Sequence, residues 1–189
     1  MATHSGLLPL GTAAPDFAPP DAHGRRYRLE DFREAQLLLV AFICNHCPFV
    51  QHMIDGLVQF ARDYAHHRVS VVAINPNDVE AYPEDSPANM ARLAAQKAFP
   101  FPYLHDESQQ VTKAYEARCT PDLYLFDQKR QLIYRGQFDG SRPRSRQPVT
   151  GADLRAATDA ALSGKPIGRQ IPSIGCSIKW KPGNAPDWA

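Results

Sequence analysis

The chain has little of what several large functional classes require. No stretch approaches the roughly 18 consecutive apolar residues that a helix needs to cross a membrane. The apolar run nearest the start, Leu7 to Leu10, is too short for the apolar part of a secretory leader, and no basic cluster precedes it. The expectation is a protein of the cytoplasm with no membrane partner. There is no excess of positive charge: 21 Lys and Arg face 20 Asp and Glu, for a net charge of +1, so the electrostatic footprint of a nucleic-acid binder is missing. Cysteine is scarce. Four in 189 residues cannot form a dense disulfide scaffold, and a reducing compartment would keep such bridges open. Repeats and low-complexity tracts are absent. What is present is ordinary globular composition, with 43% apolar and 22% charged residues, enough to bury one sizeable core without staples.

Periodicity gives the elements. Phe17-Ala18 and Tyr27-Leu29 flank the turn-forming stretch Asp21 to Gly24, which predicts a β-hairpin. Gln36 to Ile43 is a continuous apolar run, the pattern of a strand buried on both faces. From Cys47 to His66 apolar residues recur at Val50, Ile54, Leu57, Val58, Ala61 and Tyr64, which is helical spacing. Val69 to Asn75 reads as a second buried strand. Ser86-Pro87 reads as a helix start, with the helix running to about Ala98. Short segments at Tyr103-Leu104 and Val111 to Tyr115 follow. Leu123 to Phe126 and Leu132 to Phe138 predict an antiparallel pair around Asp127 to Arg130. Thr150 with Asp153 suggests a capping box for a last helix, Asp153 to Leu162, with Gly164 closing it. Prolines crowd both ends, which are expected to run as extended, irregular chain. Buried strands alternating with helices, then a late hairpin, predict an α/β domain: a central mixed sheet flanked by helices over residues 1–165, followed by a tail, 166–189, that packs back on it.

The chemistry concentrates at Cys44-Asn45-His46-Cys47-Pro48, where a buried strand gives way to a helix. A helix N-terminus offers unpaired amides and a positive dipole end. His46, when protonated, adds a positive charge, and Cys47 can donate to the Cys44 sulfur. The corner is expected to expose Cys44 as a low-pKa thiolate, with Cys47 one turn on as the thiol that resolves a mixed disulfide. Half of a zinc site shows the same spacing, but Cys119 and Cys176 stand singly and no second close pair exists. An inert pair of cysteines is the remaining reading. No metal and no bound cofactor are assigned.

The order of hairpin, Leu38-Leu39-Val40-Ala41-Phe42-Ile43, Cys44-Asn45-His46-Cys47-Pro48, long helix, Val71-Val72-Ala73-Ile74-Asn75 and later Cys119-Thr120-Pro121-Asp122 resembles the thioredoxin superfamily. The opening Ala14-Pro15-Asp16-Phe17, with Leu29 and Asp31-Phe32, resembles its alkyl hydroperoxide reductase/thiol-specific antioxidant branch, and the fuller pattern resembles peroxiredoxin-like proteins of that branch over roughly Gly11 to Trp180. The resemblance implies a thioredoxin-like fold and a thiol–disulfide oxidoreductase exchanging disulfides with a protein or small-molecule dithiol. It implies that Pro121 is cis and lies beside Cys44 and Cys47. Thr120, Pro121 and Asn45 are expected to contact substrate, Thr120 by pairing its backbone with a substrate strand.

Two departures matter. The positions at which a peroxiredoxin carries its threonine and proline hold Ala41 and Leu37, which weakens a peroxidase reading. The strand before the motif carries no acid, so the proton acceptor for Cys47 is unassigned. A thiol peroxidase and a non-enzymatic metal-binding domain using Cys44, Cys47 and His46 stand as alternatives. Cys119, two residues before Pro121, and Cys176 are candidate relay thiols, against the readings of both as small buried hydrophobes or as the two ends of a structural bridge. The acidic stretch Asp78, Glu80, Glu84 and Asp85 reads as helix capping and solvation.

Overall fold

A continuous apolar run has no polar face to turn toward water, and Leu37–Phe42 is buried along its whole length. The computed structural model describes residues 2–6 and 8–189, so Leu7 of the short apolar run lies outside the described residues. Along the chain the elements are β1 (Ala2–His4), β2 (Leu37–Phe42), α1 (Pro48–Tyr64), β3 (Val69–Asn75), α2 (Pro87–Gln96), β4 (Tyr103–His105), α3 (Gln110–Ala114), β5 (Cys119–Thr120), β6 (Asp122–Phe126), β7 (Leu132–Arg135), α4 (Ala152–Leu162) and β8 (Ile174–Ser177). Five strands form the central sheet in the order β4-β3-β2-β6-β7. β4, β3 and β2 are parallel, β6 runs against them and β7 runs against β6, so the sheet is mixed as expected. The architecture is thioredoxin-like.

The central strand divides the core by its own alternation. Leu37, Leu39 and Ala41 pack with Val50, Ile54 and Leu57 of α1 and Leu154 and Ala157 of α4. Leu38, Val40 and Phe42 face the other way, onto Phe17, Tyr115, Tyr124 and Phe126. Burying each larger side chain contributes about 1.5–3 kcal/mol, so this strand anchors both layers. It therefore fixes where Cys44 leaves the sheet.

Several local expectations are modified. The hairpin over Asp21–Gly24 closes with a single bridge, Pro20 to Arg26. Pro19 and Pro20 have no N–H to extend the ladder. β7 stops at Arg135, short of Phe138, and the Gln137 amide donates to Ile171 O at 2.7 Å. Ser86 stands at the start of α2 without a side-chain cap. The capping box at α4 does not close: Asp139 Oδ2 accepts the Thr150 and Gly151 amides at 2.7 Å each, Gly151 takes φ +66°, and Asp153 accepts from Gln137 instead.

The chain ends are not irregular throughout. β1 pairs antiparallel with β8, and β8 pairs antiparallel with β5, making a second sheet in the order β1-β8-β5. Strands of two to four residues are too short to show a period of two, and their partners lie more than 50 residues away, so local pattern does not announce them. The fit is close. A Cβ on Gly175 would sit 2.1 Å from the Thr120 carbonyl oxygen and 2.5 Å from its carbon. Gly175→Ala is expected to lift β8 from β5, lowering stability by about 1–3 kcal/mol, or roughly 3–10 °C in Tm. Limited trypsin digestion should then cut faster after Lys179. Unchanged melting and digestion would refute the close packing.

Candidate active site

β2 delivers the chain to Ile43, whose amide still bonds to Ile74 O at 3.0 Å, and the backbone then turns out of the sheet. Pro48 opens α1, where a missing N–H costs nothing, and Cys47 stands at the N-cap. Thr120, joined to Pro121 by a cis peptide bond, reaches both sulfurs. Its hydroxyl is 3.2 Å from Cys44 Sγ, and its carbonyl accepts from Cys47 Sγ at 3.0 Å. The structure thus brings together Cys44, Cys47, Thr120 and Pro121. All four cysteines are free thiols.

Cys44 is not exposed. Both Cys44 and Cys47 have 0% relative exposure, which corrects the expected solvent-facing Cys44. The cause is the packing of Thr120 over the sulfurs and of the 44–47 loop against Asp85. The surroundings also bias the two sulfurs unequally. Cys47 is lowered to about 5, first because Cys44 donates a hydrogen bond to it; burial opposes this, while Cys176 and the Val50 amide assist. Cys44 is pushed well above the ordinary thiol range by the same hydrogen bond, by burial and by the charge of Asp85, with the Thr120 hydroxyl acting in the opposite sense. The two thiols titrate as a coupled pair, and the Thr120 carbonyl accepts from Cys47 only while Cys47 carries a proton.

The acidic stretch supplies what the strand lacked. Asp85 closes a short 3-10 turn, Pro83–Asp85, and is 0% exposed rather than solvated. Its Oδ1 accepts the Asn45 amide at 2.7 Å and the His46 amide at 3.2 Å. Its Oδ2 accepts from Asn77 Nδ2 and His46 Nδ1, each at 2.7 Å. The His46 ring stacks on Tyr82, 5.2 Å between centroids and 12° from parallel. Four donors make a buried carboxylate tenable. A signal existed: an acid beside Ser86-Pro87 in a chain whose motif strand carries none. Local sequence could not separate it from a capping acid.

Ligand atoms of Cys44, His46 and Asp85 lie within 4.8 Å of one another, a three-donor set that a metal ion could use. His46 Nδ1 and Asp85 Oδ2 are already bonded, so a cation there would have to displace that proton. Asn45, expected to meet substrate, has its side chain engaged by Glu84 O at 2.9 Å and the Tyr103 hydroxyl at 3.0 Å. Thr120, expected to offer a free backbone edge, is paired with Cys176 of β8. Cys119 is fully buried and its sulfur lies 3.4 Å from Pro121 O. Cys176, half-buried, packs against the core cluster that holds Cys44 and Cys47.

The chain shares this architecture with known proteins. It is 51% identical to a hypothetical protein of Sinorhizobium meliloti 1021, covering 96% of this chain and all of that one, with a TM-score of 0.94. An uncharacterized conserved protein of Geobacillus kaustophilus is 54% identical over 97% and 98% of the two chains, also at 0.94. The thiol-disulfide oxidoreductase ResA of Geobacillus thermodenitrificans is 26% identical over 125 residues, 66% of this chain and 67% of that protein. A putative thiol:disulfide interchange protein DsbE of Chlorobium tepidum, 23% identical over 82% and 99% of the chains, superposes with a TM-score of 0.63 and shares the fold. Residues 10–135 match the AhpC/TSA family, and with the mixed sheet and the Thr120–Pro121 cis bond over two neighbouring cysteines in place, the chain belongs to that family.

Proposed function

We propose that the protein is a thiol–disulfide oxidoreductase that cycles Cys44 and Cys47 between dithiol and disulfide. The observation that carries this reading is that one residue, Thr120, bonds both sulfurs at once, by its hydroxyl to Cys44 and its carbonyl to Cys47. The similarity to ResA supports it. Cys44 is the nucleophile. It borders His46, whose side chain is 23% exposed, whereas Cys47 is walled in by Thr120 and Cys176.

The monoanion of the pair holds one proton between the two sulfurs. With that proton on Cys47, the Cys44 thiolate accepts from the Thr120 hydroxyl and the Cys47 thiol donates to the Thr120 carbonyl. The Cys44 thiolate attacks a substrate disulfide and expels one thiolate. Cys47 then attacks Cys44 in the mixed disulfide, releasing the second substrate thiol and leaving a Cys44–Cys47 disulfide. The charge of Asp85 opposes ionisation of Cys44, and the same carboxylate is bonded to His46 Nδ1. Electrons return from another dithiol, and the cytoplasm is the proposed setting, where thiol pools maintain the reduced form. Ala41 and Leu37 are packed in the core and bring no hydroxyl or ring to Cys44, which disfavours a peroxidase.

Insulin-disulfide reduction tests the assignment. Cys44→Ser and Cys47→Ser are each expected to lower turnover by at least about a hundredfold, and only Cys47→Ser should trap a mixed disulfide at Cys44. A fully active Cys44→Ser would end the proposal. Asp85→Asn is expected to move the pH profile of Cys44 alkylation down by about one unit, and His46→Ala to move it up. No shift in either variant would remove the pair from the mechanism.

The reduced protein should also gain stability with rising pH. Between about 5 and the ordinary value of 9.0, the unfolded chain carries a Cys47 proton that the native state lacks, so stability increases across that window. Above it the gain reverses, because the unfolded Cys44 ionises while the native one keeps its proton. Melting temperatures of the reduced protein from pH 5.5 to 8.5 should show the rise, and Cys47→Ser should lose it. The same slope in that variant would contradict the lowered Cys47.

A further inference from the structure

We propose that Cys176 is a third redox thiol of the site, placed by β8 to exchange with the Cys44–Cys47 disulfide by bonding to Cys47. The inference rests on the thiol–disulfide reading above and extends it. Its basis is strand register. Cys176 is the direct cross-strand partner of Thr120 in the antiparallel β5–β8 pair, and Cys119 is the partner of Ser177. Cross-strand partners project on the same side of a sheet, with Cβ atoms about 4.5–5.5 Å apart, and successive residues on opposite sides. Thr120 points its hydroxyl at Cys44 Sγ. Cys176 therefore shares the side of the sheet that carries the active-site sulfurs, and Cys119 is turned away from it, toward Pro121 O.

Two further contacts agree. The Thr120 carbonyl, 3.0 Å from Cys47 Sγ, is the atom against which Gly175 is pressed, so the residue next to Cys176 and the Cys47 sulfur meet at one oxygen. Cys176 also packs on the cluster that includes Cys44 and Cys47. The tail strand lies where the resemblance placed a substrate strand, and it carries a cysteine at the paired position.

The step balances internally. The Cys176 thiol loses its proton and its sulfur attacks Cys47 Sγ of the Cys44–Cys47 disulfide. The Cys47–Cys176 bond forms, the Cys44–Cys47 bond breaks, and Cys44 leaves with the electron pair and takes up the proton. No net oxidation occurs. The result is a free Cys44 and a tail pinned to the first turn of α1.

Disulfide mapping by mass spectrometry of non-reduced digests tests this on the full-length protein in oxidised and reduced glutathione. Wild type is expected to give Cys44–Cys47 with a second population of Cys47–Cys176. Cys44→Ser is expected to give an intramolecular Cys47–Cys176 bridge, lost in Cys44→Ser/Cys176→Ser and kept in Cys44→Ser/Cys119→Ser. If Cys44→Ser leaves Cys47 unbridged or pairs it with Cys119, and wild type shows Cys44–Cys47 alone, the proposal for Cys176 fails and the oxidoreductase reading stands. If wild type forms no Cys44–Cys47 bond while Cys44→Ser still bridges Cys47 to Cys176, the oxidoreductase reading fails and the tail site remains. The wild-type arm does not depend on any variant folding.

Discussion

A negative charge held away from water needs donors aimed at it, and the loop after β2 supplies most of those available here. Two of its amides, Asn45 and His46, point at Asp85. The Val50 amide, one turn into α1, favours Cys47. Cys44 receives none of these and faces the Asp85 charge, with the Thr120 hydroxyl as its partner. The division of amides between a carboxylate and a sulfur pushes Cys47 down and leaves Cys44 raised. A helix N-terminus would ordinarily favour the first cysteine of such a pair. Here the buried Asp85 takes the donors that would have done so.

The parts of the fold legible in sequence are those with long, regular patterns. Leu37–Phe42, Val69–Asn75 and the helical spacing from Val50 to Tyr64 are burial patterns that tertiary structure only has to accept. Thr120-Pro121 was legible through resemblance. What stayed hidden was non-local. Asp85 looks like any acid ahead of a helix until residues 45, 46 and 77 converge on it. The burial of Cys44 depends on Thr120, 76 positions away. The small sheet β1-β8-β5 joins the two chain ends through rungs that no local window contains.

The tail is tied to the active-site charge as well as to its sulfurs. Beyond β8, the Lys179 amide donates to Asn77 Oδ1 at 2.9 Å, and Lys179 O accepts from the Asp78 amide at 2.8 Å. The other end of the same Asn77 side chain donates to Asp85 Oδ2. One buried amide therefore links the position of the tail to the donor set of the carboxylate. β8 holds β5 by only two rungs, Cys119–Ser177 and Thr120–Cys176, and a typical hydrogen bond contributes about 0.5–1.5 kcal/mol net. It is held by three rungs to β1, and parting the β1–β8 pair from β5 would also have to break the Ile178 amide's bond to Arg118 O and the bond from the Ser5 hydroxyl to Asp122. Such a parting would open the Thr120 backbone to a foreign strand. It would also free Asn77 from Lys179 and loosen one of the four donors on Asp85. Access to the sulfurs and the field acting on them are thus governed by the same strand.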